Sequence, residues 1–253
     1  MQFTDSLNAS VDRFRQKYGF SGAALKMIAV ITMLIDHTGA TVLRALYKLP
    51  AVAADPHMTQ LVRQLYYFSR RIGRLAFPIF CFLLVEGFMH TRDVRKYAAR
   101  LFVFALISDI PFDYALHHDA GPFYKQNVYF TLLIGILVLW GVREMRGRIP
   151  FQLLFMCAGM IMAKIMRTDY SYKGVFIIEM LYILRFSPLL QSLGGAAIMQ
   201  YEKMPTPLAF IPVYLYNGRR GRQMKYFFYC FYPAHLLILG LITHVLIPAL
   251  AKL

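Results

Sequence analysis

The feature that most constrains this chain is a succession of apolar runs, each near the length a helix needs to cross a bilayer. The first, "LKMIAVITMLIDHTGATVLRALY", covers Leu25 to Tyr47. A hydrocarbon core takes about 20 helical residues, and within it only helices and closed barrels satisfy their backbone polar groups. Further runs cover residues 75–90, 97–116, 127–142, 149–166 and 227–250. The stretch 174–200 reads either as one kinked span or as two short halves broken near Ser187-Pro188, and "PTPLAFIPVYLYN" is very short for a span. The expected fold class is all-α. It is a polytopic transmembrane helical bundle of about seven to nine spans, with one integral-membrane domain filling residues 1–253.

Composition supports a chain embedded in lipid. Hydrophobic residues make up 58% and charged residues only 16%, with a mean hydropathy of +0.48, where a soluble domain carries roughly 25% charge. The net charge of +15 is therefore not first a nucleic-acid signal, and no nucleic-acid motif is present. The basic residues sit mostly between apolar runs, where they set topology and meet anionic headgroups. The lipid bilayer, not nucleic acid, is the expected partner. Cys81, Cys157 and Cys230 lie inside apolar runs. They read as small buried hydrophobes, and neither they nor the His117-His118 pair suggests a metal site.

Residues 1–22 read as an interfacial leader, because Phe3, Leu7, Val11 and Phe14 recur at helical spacing beside Arg13, Arg15 and Lys17. The connection between the first two spans holds a second amphipathic segment. It places Met58, Leu61, Val62 and Leu65 on one face and Arg63, Arg70, Arg71 and Arg74 on the other, and it is expected to lie on the membrane surface. The distribution of Lys and Arg favours a cytoplasmic N-terminus. Lys26, Arg92, Arg95, Lys96, Arg143, Arg146 and Arg148 then share one side, and the "GRRGRQMK" segment joins them if the spans number seven or nine, not eight. The basic connection between spans one and two disagrees, unless it is an amphipathic arginine helix on the outer surface or its arginines fold into the bundle.

Asp36 and His37 stand at the middle of the first run, where an aspartate costs roughly 2.5–3.5 kcal/mol to insert. They are tolerated only if they face protein or water. Neighbours on a helix point about 100° apart, so one faces a site and the other a partner on another helix. Asp109 and Asp113 are four apart and share a face if Pro111 does not break their helix. Glu86 and His90 repeat that spacing near the end of span two, where interfacial pairing is the plainer reading. Arg74 precedes "LAFPIF", and its fork suits a phosphate or carboxylate. Tyr232 and His235, three apart in "FYPAHL", point towards one site. These groups are compatible with an enzyme acting at the membrane or with a proton-coupled transporter.

The blocks "LKMIAVITMLIDHTGA", "IGRLAFPIFCFLLVEGFMHTRDVRKYAARLFVFALISDIPFD", "NVYFTLLIGIL" and "KYFFYCFYPAHLLIL" resemble the TraX family, the F-pilin acetylase proteins of conjugative systems, over about residues 23–245. The resemblance implies a bacterial inner-membrane acetyltransferase, similar in broad outline to transmembrane acyltransferases that modify sugars. It would move an acetyl group from acetyl-CoA, without a metal, to the N-terminal amine of a pilin or to a glycan. By that resemblance His37 takes the role of general base. Asp36, or an aspartate of span three, would stabilise its imidazolium. Arg74 or Arg92 would bind CoA phosphates, Asp109 and Asp113 would hold the acceptor's ammonium, and Tyr232 or Asn127 would donate to the oxyanion, with His235 also lining the substrate site. The competing readings are a proton-coupled transporter using Asp36, Asp109 and Asp113, and a non-catalytic partner of a pilus or secretion assembly.

Overall fold

The computed structural model describes residues 2–120, 124–202, 205–222 and 224–251. Among the described residues there are helices and turns, two isolated bridges and no strand. The leader is helix α1, Gln2–Tyr18. Its far end is tied down, since the Arg15 guanidinium donates to the Tyr216 carbonyl at 2.9 Å and the Gln16 amide to the Asn217 carbonyl at 3.0 Å. Phe3 and Leu7, half of the stripe expected to meet the interface, have side chains outside the described residues.

Helix α2 runs from Gly22 to Tyr47. Ser21 caps it by accepting from the Ala24 amide, and Gly39–Leu43 form a π-turn within it. After a short helical turn, α3 (Pro56–Gly73) starts on an Asp55 cap, and only residues 74–75 separate it from α4, Ala76–His90. Then come α5 (Val94–Leu116), α6 (Val128–Glu144), α7 (Ile149–Ile165), α8 (Ser171–Ile183), α9 (Pro188–Ile198) and the five-residue α10, Phe210–Tyr214. The last helix, α11 (Lys225–Leu241), continues through a π-turn at Ile242–Leu246 to Leu250. Pro111 and Pro233 are carried inside α5 and α11 without ending them. The ambiguous stretch 174–200 resolves as two halves, α8 and α9, separated by a 3₁₀ turn at Leu184–Phe186, with the Ser187 hydroxyl capping the second.

Three helices, Gly22–Tyr47, Pro56–His90 and Tyr226–Leu250, are long and apolar enough to cross a membrane, and the shorter α7 is apolar as well. The chain is a membrane protein. Its outer surface is apolar, with Ile110, Leu154 and Ile165 each more than half exposed. Lipid offers no reason to hide such side chains. The cysteines follow the same logic. Cys81 is buried as expected, but Cys157 and Cys230 face outward, because the outside of this bundle is as apolar as its core.

The amphipathic segment of the first connection is not a separate surface element. It is α3, nearly continuous with α4 and packed along α2. Its apolar residues Met58, Leu61 and Leu65 look outward, while buried Ser69 and Gly73 and half-buried Arg70 turn towards α2. Contact is close because glycines sit at the crossing. A Cβ on Gly39 would lie 2.0 Å from the Ser69 hydroxyl, and one on Gly73 would lie 2.0 Å from the Asp36 Cβ.

The bundle has two distinct ends. Phe20 bridges to Tyr216, and Arg95 and Arg143 lie over the rings of Trp140 and Phe88. These contacts gather the start of α2, the α4–α5 and α6–α7 connections and the 215–222 turn at a basic end. At the other end Gln126 bridges to Thr168, and Gly240 packs on Tyr114 and Ala115. The 117–127 and 166–171 connections and the close of α11 gather there.

Candidate functional site

Asp36 and His37 do not grip each other. Asp36 Oδ2 pairs with Arg70 Nη1 at 2.6 Å, across the α2–α3 crossing that the glycines allow. Asp36 Oδ1 is buried and has no hydrogen-bond partner. Arg74 also bears electrostatically on this carboxylate.

His37 turns instead to α11. Its Nδ1 lies 2.6 Å from His235 Nε2, with the rings near parallel at 10° and 5.0 Å apart. His235 Nδ1 lies 2.7 Å from the Phe231 carbonyl. A carbonyl only accepts, so in the neutral rings His235 carries its proton on Nδ1 and offers the Nε2 lone pair. His37 must then donate from Nδ1, which leaves its Nε2 as the nitrogen with an unshared pair. The histidines come from the two helices that carry π-turns, and those turns, Gly39–Leu43 and Ile242–Leu246, pack together. Such turns are often found at functional sites.

His37 lines a recess with about 620 Å³ of empty space, open mouth included. Its apolar wall includes Met33, Phe77, Phe80, Leu132 and Phe228, and its polar groups are Asp36, His37, Asp169, Tyr170, Tyr129 and Tyr232. Tyr232 is buried, and its ring meets that of His37 edge-on at 6.0 Å and that of Tyr129 at 5.1 Å. Asp169 is held by Lys125 at 2.6 Å, and Tyr170 stacks flat on Phe77. The Asp169 turn lies between two residues in the left-handed region, Arg167 (φ 52°) and Ser171 (φ 51°). Non-glycine residues enter that region at a cost of about 1–3 kcal/mol, and such residues cluster at functional sites.

The other sequence candidates are placed as follows. Asn127 is fully buried and committed to the protein. Its Nδ2 donates to the Ala105 carbonyl at 2.8 Å and to Asp109 Oδ1 at 3.1 Å, and its Oδ1 accepts from the Tyr129 amide at 3.0 Å, capping α6. Asp109 is thereby a buried partner of Asn127, outside the recess lining. Asp113 is half-buried one turn further along α5. His235 is buried behind His37 and does not line the recess. Arg92 is exposed at the basic end, far from the histidines. Glu86 and His90 lie at that same end, with His90 Nδ1 donating to the Glu86 carbonyl at 2.8 Å.

Sequence reasoning missed Asp169 and Lys125, and it did not single out Arg70 among the arginines that could fold inward. Arg70 is one of four arginines on an amphipathic segment and carries no mark that distinguishes it. Asp169 lies in a short turn, "RTDYS", whose only signal is a carboxylate between two apolar helices.

The TraX protein family profile matches residues 21–243, a range that takes in every residue of the recess. The probable fimbrial assembly protein FimC, serogroup H1, of Dichelobacter nodosus is 29% identical over 252 aligned residues, covering 87% of this chain and 94% of its own. No solved structure matches. With the matched range spanning nearly the whole bundle, the chain belongs to the TraX family.

Proposed function

We propose that this protein is a membrane-embedded acetyltransferase that moves the acetyl group of acetyl-CoA to an acceptor amine, with the N-terminus of a pilin as the acceptor. The observation that carries the reading is His37, backed by His235, on the wall of a recess that also presents two carboxylates. An amine attacks a thioester only when it is unprotonated. Asp36 Oδ1 and the Asp169 carboxylate, each already paired with a cation, Arg70 and Lys125, accept hydrogen bonds from an arriving ammonium, which sheds one proton to water before reaction. The amine nitrogen then attacks the carbonyl carbon while His37 Nε2 takes its second proton, and His235 Nε2 accepts from His37 Nδ1–H as the imidazolium forms. Tyr232 is the donor for the oxyanion, since the Asn127 amide is already committed. Collapse of the intermediate breaks the C–S bond, and the proton on His37 passes to the leaving thiolate. The products are an N-acetyl amine and CoA.

Three further points support this reading. The family resemblance implies an acetyltransferase, and the Dichelobacter relative bears the name of a fimbrial assembly protein. The two carboxylates give an ammonium two hydrogen-bond acceptors on the recess wall, which favours an amine over a glycan hydroxyl. The concentration of Lys and Arg at one end favours a cytoplasmic N-terminus in an inner membrane. The exceptional arginines between the first spans include one, Arg70, that is folded against Asp36 and does not act as a free topology signal. In that orientation the recess lies towards the outer end, where a pilin amine emerges from the membrane.

The test is transfer from radiolabelled acetyl-CoA to a synthetic pilin N-terminal peptide by the purified protein in lipid nanodiscs. The peptide should gain one acetyl group by intact mass. His37→Gln should slow transfer by about 10²–10⁴-fold while preserving expression and thermal midpoint. Full labelling by that variant removes His37 as the base. Solute flux driven by a pH gradient, with no labelling at all, would establish the transporter instead.

A further inference from the structure

The recess closes on Phe228 towards the basic end. Phe228, which lines it on the side nearer the basic end, also lies under Lys26, whose Nζ is 5.5 Å from the ring centroid. Beyond Lys26 stands the turn that carries Arg219, Arg220 and Arg222, all exposed. This turn is zipped to the start of α2. The Phe20 amide donates to the Leu215 carbonyl at 3.0 Å, the Gly22 amide to Arg219 at 2.8 Å and the Ala23 amide to Arg220 at 3.0 Å. The Asn217 side chain donates to the Gly19 carbonyl at 2.9 Å and accepts from the Arg219 amide at 3.0 Å. Gly221 closes the turn at φ +67°, where a Cβ would lie 2.6 Å from the Ser21 hydroxyl. A loop that only marks the cytoplasmic side has no need of such fixation. Here the backbone holds the arginines in place beside the N-terminus of α2, whose dipole adds to their field.

We propose that Lys26 and the Arg219–Arg222 turn form the phosphate-binding rim for an acyl-CoA whose thioester end reaches His37. The inference rests on the acetyltransferase reading and names the donor half of its site. The eleven residue steps of α2 from Lys26 to His37 span about 16 Å, a length that suits an extended pantetheine arm. The phosphates stay at the basic end while the acetyl group is presented to an acceptor arriving from the other. Lipid headgroups offer the same phosphate chemistry, so the test has to separate the two.

The full-length protein is placed in nanodiscs of zwitterionic lipid, and binding of CoA and of pantetheine, which lacks the phosphates, is measured directly. The double variant Arg219→Ala/Arg222→Ala should weaken CoA binding by about ten-fold or more and leave pantetheine unchanged. Arg146→Ala/Arg148→Ala removes the same charge from another exposed connection at the same end and should leave both unchanged. Equal CoA affinity in the two double variants overturns the rim while the acetyltransferase reading stands. So does an effect of Arg219 and Arg222 seen only as weaker attachment to vesicles containing anionic lipid. Failure of the unaltered protein to bind CoA at all overturns the donor assignment and the rim together.

Discussion

At the scale of single residues, the unexpected partner is His235. Two carboxylate sources, Asp36 and span three, are the natural expectation for a group that orients His37. The structure instead gives Asp36 to Arg70, Asp109 to Asn127, and His37 to a second imidazole. The reason is geometric. A side chain one residue from His37 on the same helix points about 100° away, so the orienting group has to come from a facing helix, and α11 is the one that faces it. His235→Leu should cut kcat by about 10²-fold or more with KM unchanged. His235→Gln, which keeps an oxygen able to accept from His37 Nδ1–H, should recover a large part of the loss. Equal loss in both variants, or a change in KM alone, would make His235 a packing residue.

At the scale of elements, the α2–α3 crossing places the carboxylate and its arginine. The absence of a Cβ on Gly73 is what lets Asp36 lie flat on α3. Gly73→Ala should cost about 1–3 kcal/mol through overpacking and separate Asp36 from Arg70. It would be read as a lowered thermal midpoint together with lost transfer, and an unchanged midpoint would show that the crossing yields easily. Helix α8 makes a contrasting case. Glu179 is buried, with neither carboxylate oxygen hydrogen-bonded, and it lies outside the recess. A buried polar group without partners costs stability. Glu179→Met, similar in volume, should therefore leave the midpoint unchanged or raise it, with transfer intact. Loss of transfer in a well-folded Glu179→Met protein would instead give this carboxylate a place in the reaction.

At the scale of the whole molecule, the two ends of the bundle have opposite characters, and the function proposed depends on their being on opposite sides of the membrane. Single cysteines are placed at Arg146 and His118 in a background lacking Cys81, Cys157 and Cys230. A membrane-impermeant maleimide applied to intact cells should label position 118 and spare 146. The reverse pattern would turn the protein over and place the recess towards the cytoplasm. Of the basic connection between the first two spans, Arg70 is spent inside the fold on Asp36, while Arg63 and Arg71 stay exposed.

The sequence by itself determined that this is a helical membrane protein, where its main helices run, and that Asp36 and His37 are anomalous. Length, hydropathy and caps are local properties, so the spans of α2, α4, α5, α6, α7 and α11 are legible to within a few residues. His37, Asp36 and Tyr232 could be picked out for the same reason, as polar groups standing where only apolar ones are cheap. The tertiary structure alone decided which of these groups meet. Arg70 is 34 residues from Asp36 and His235 is 198 from His37, and no periodicity within one helix specifies a neighbour on another. It also decided that Asn127 and Asp109 satisfy each other outside the recess, and that a turn as plain as "RTDYS" brings Asp169 to its wall. Pairings of this kind depend on helix crossings set by side-chain volume, here by the missing Cβ atoms of Gly39 and Gly73, and that complementarity exists only once both surfaces are folded.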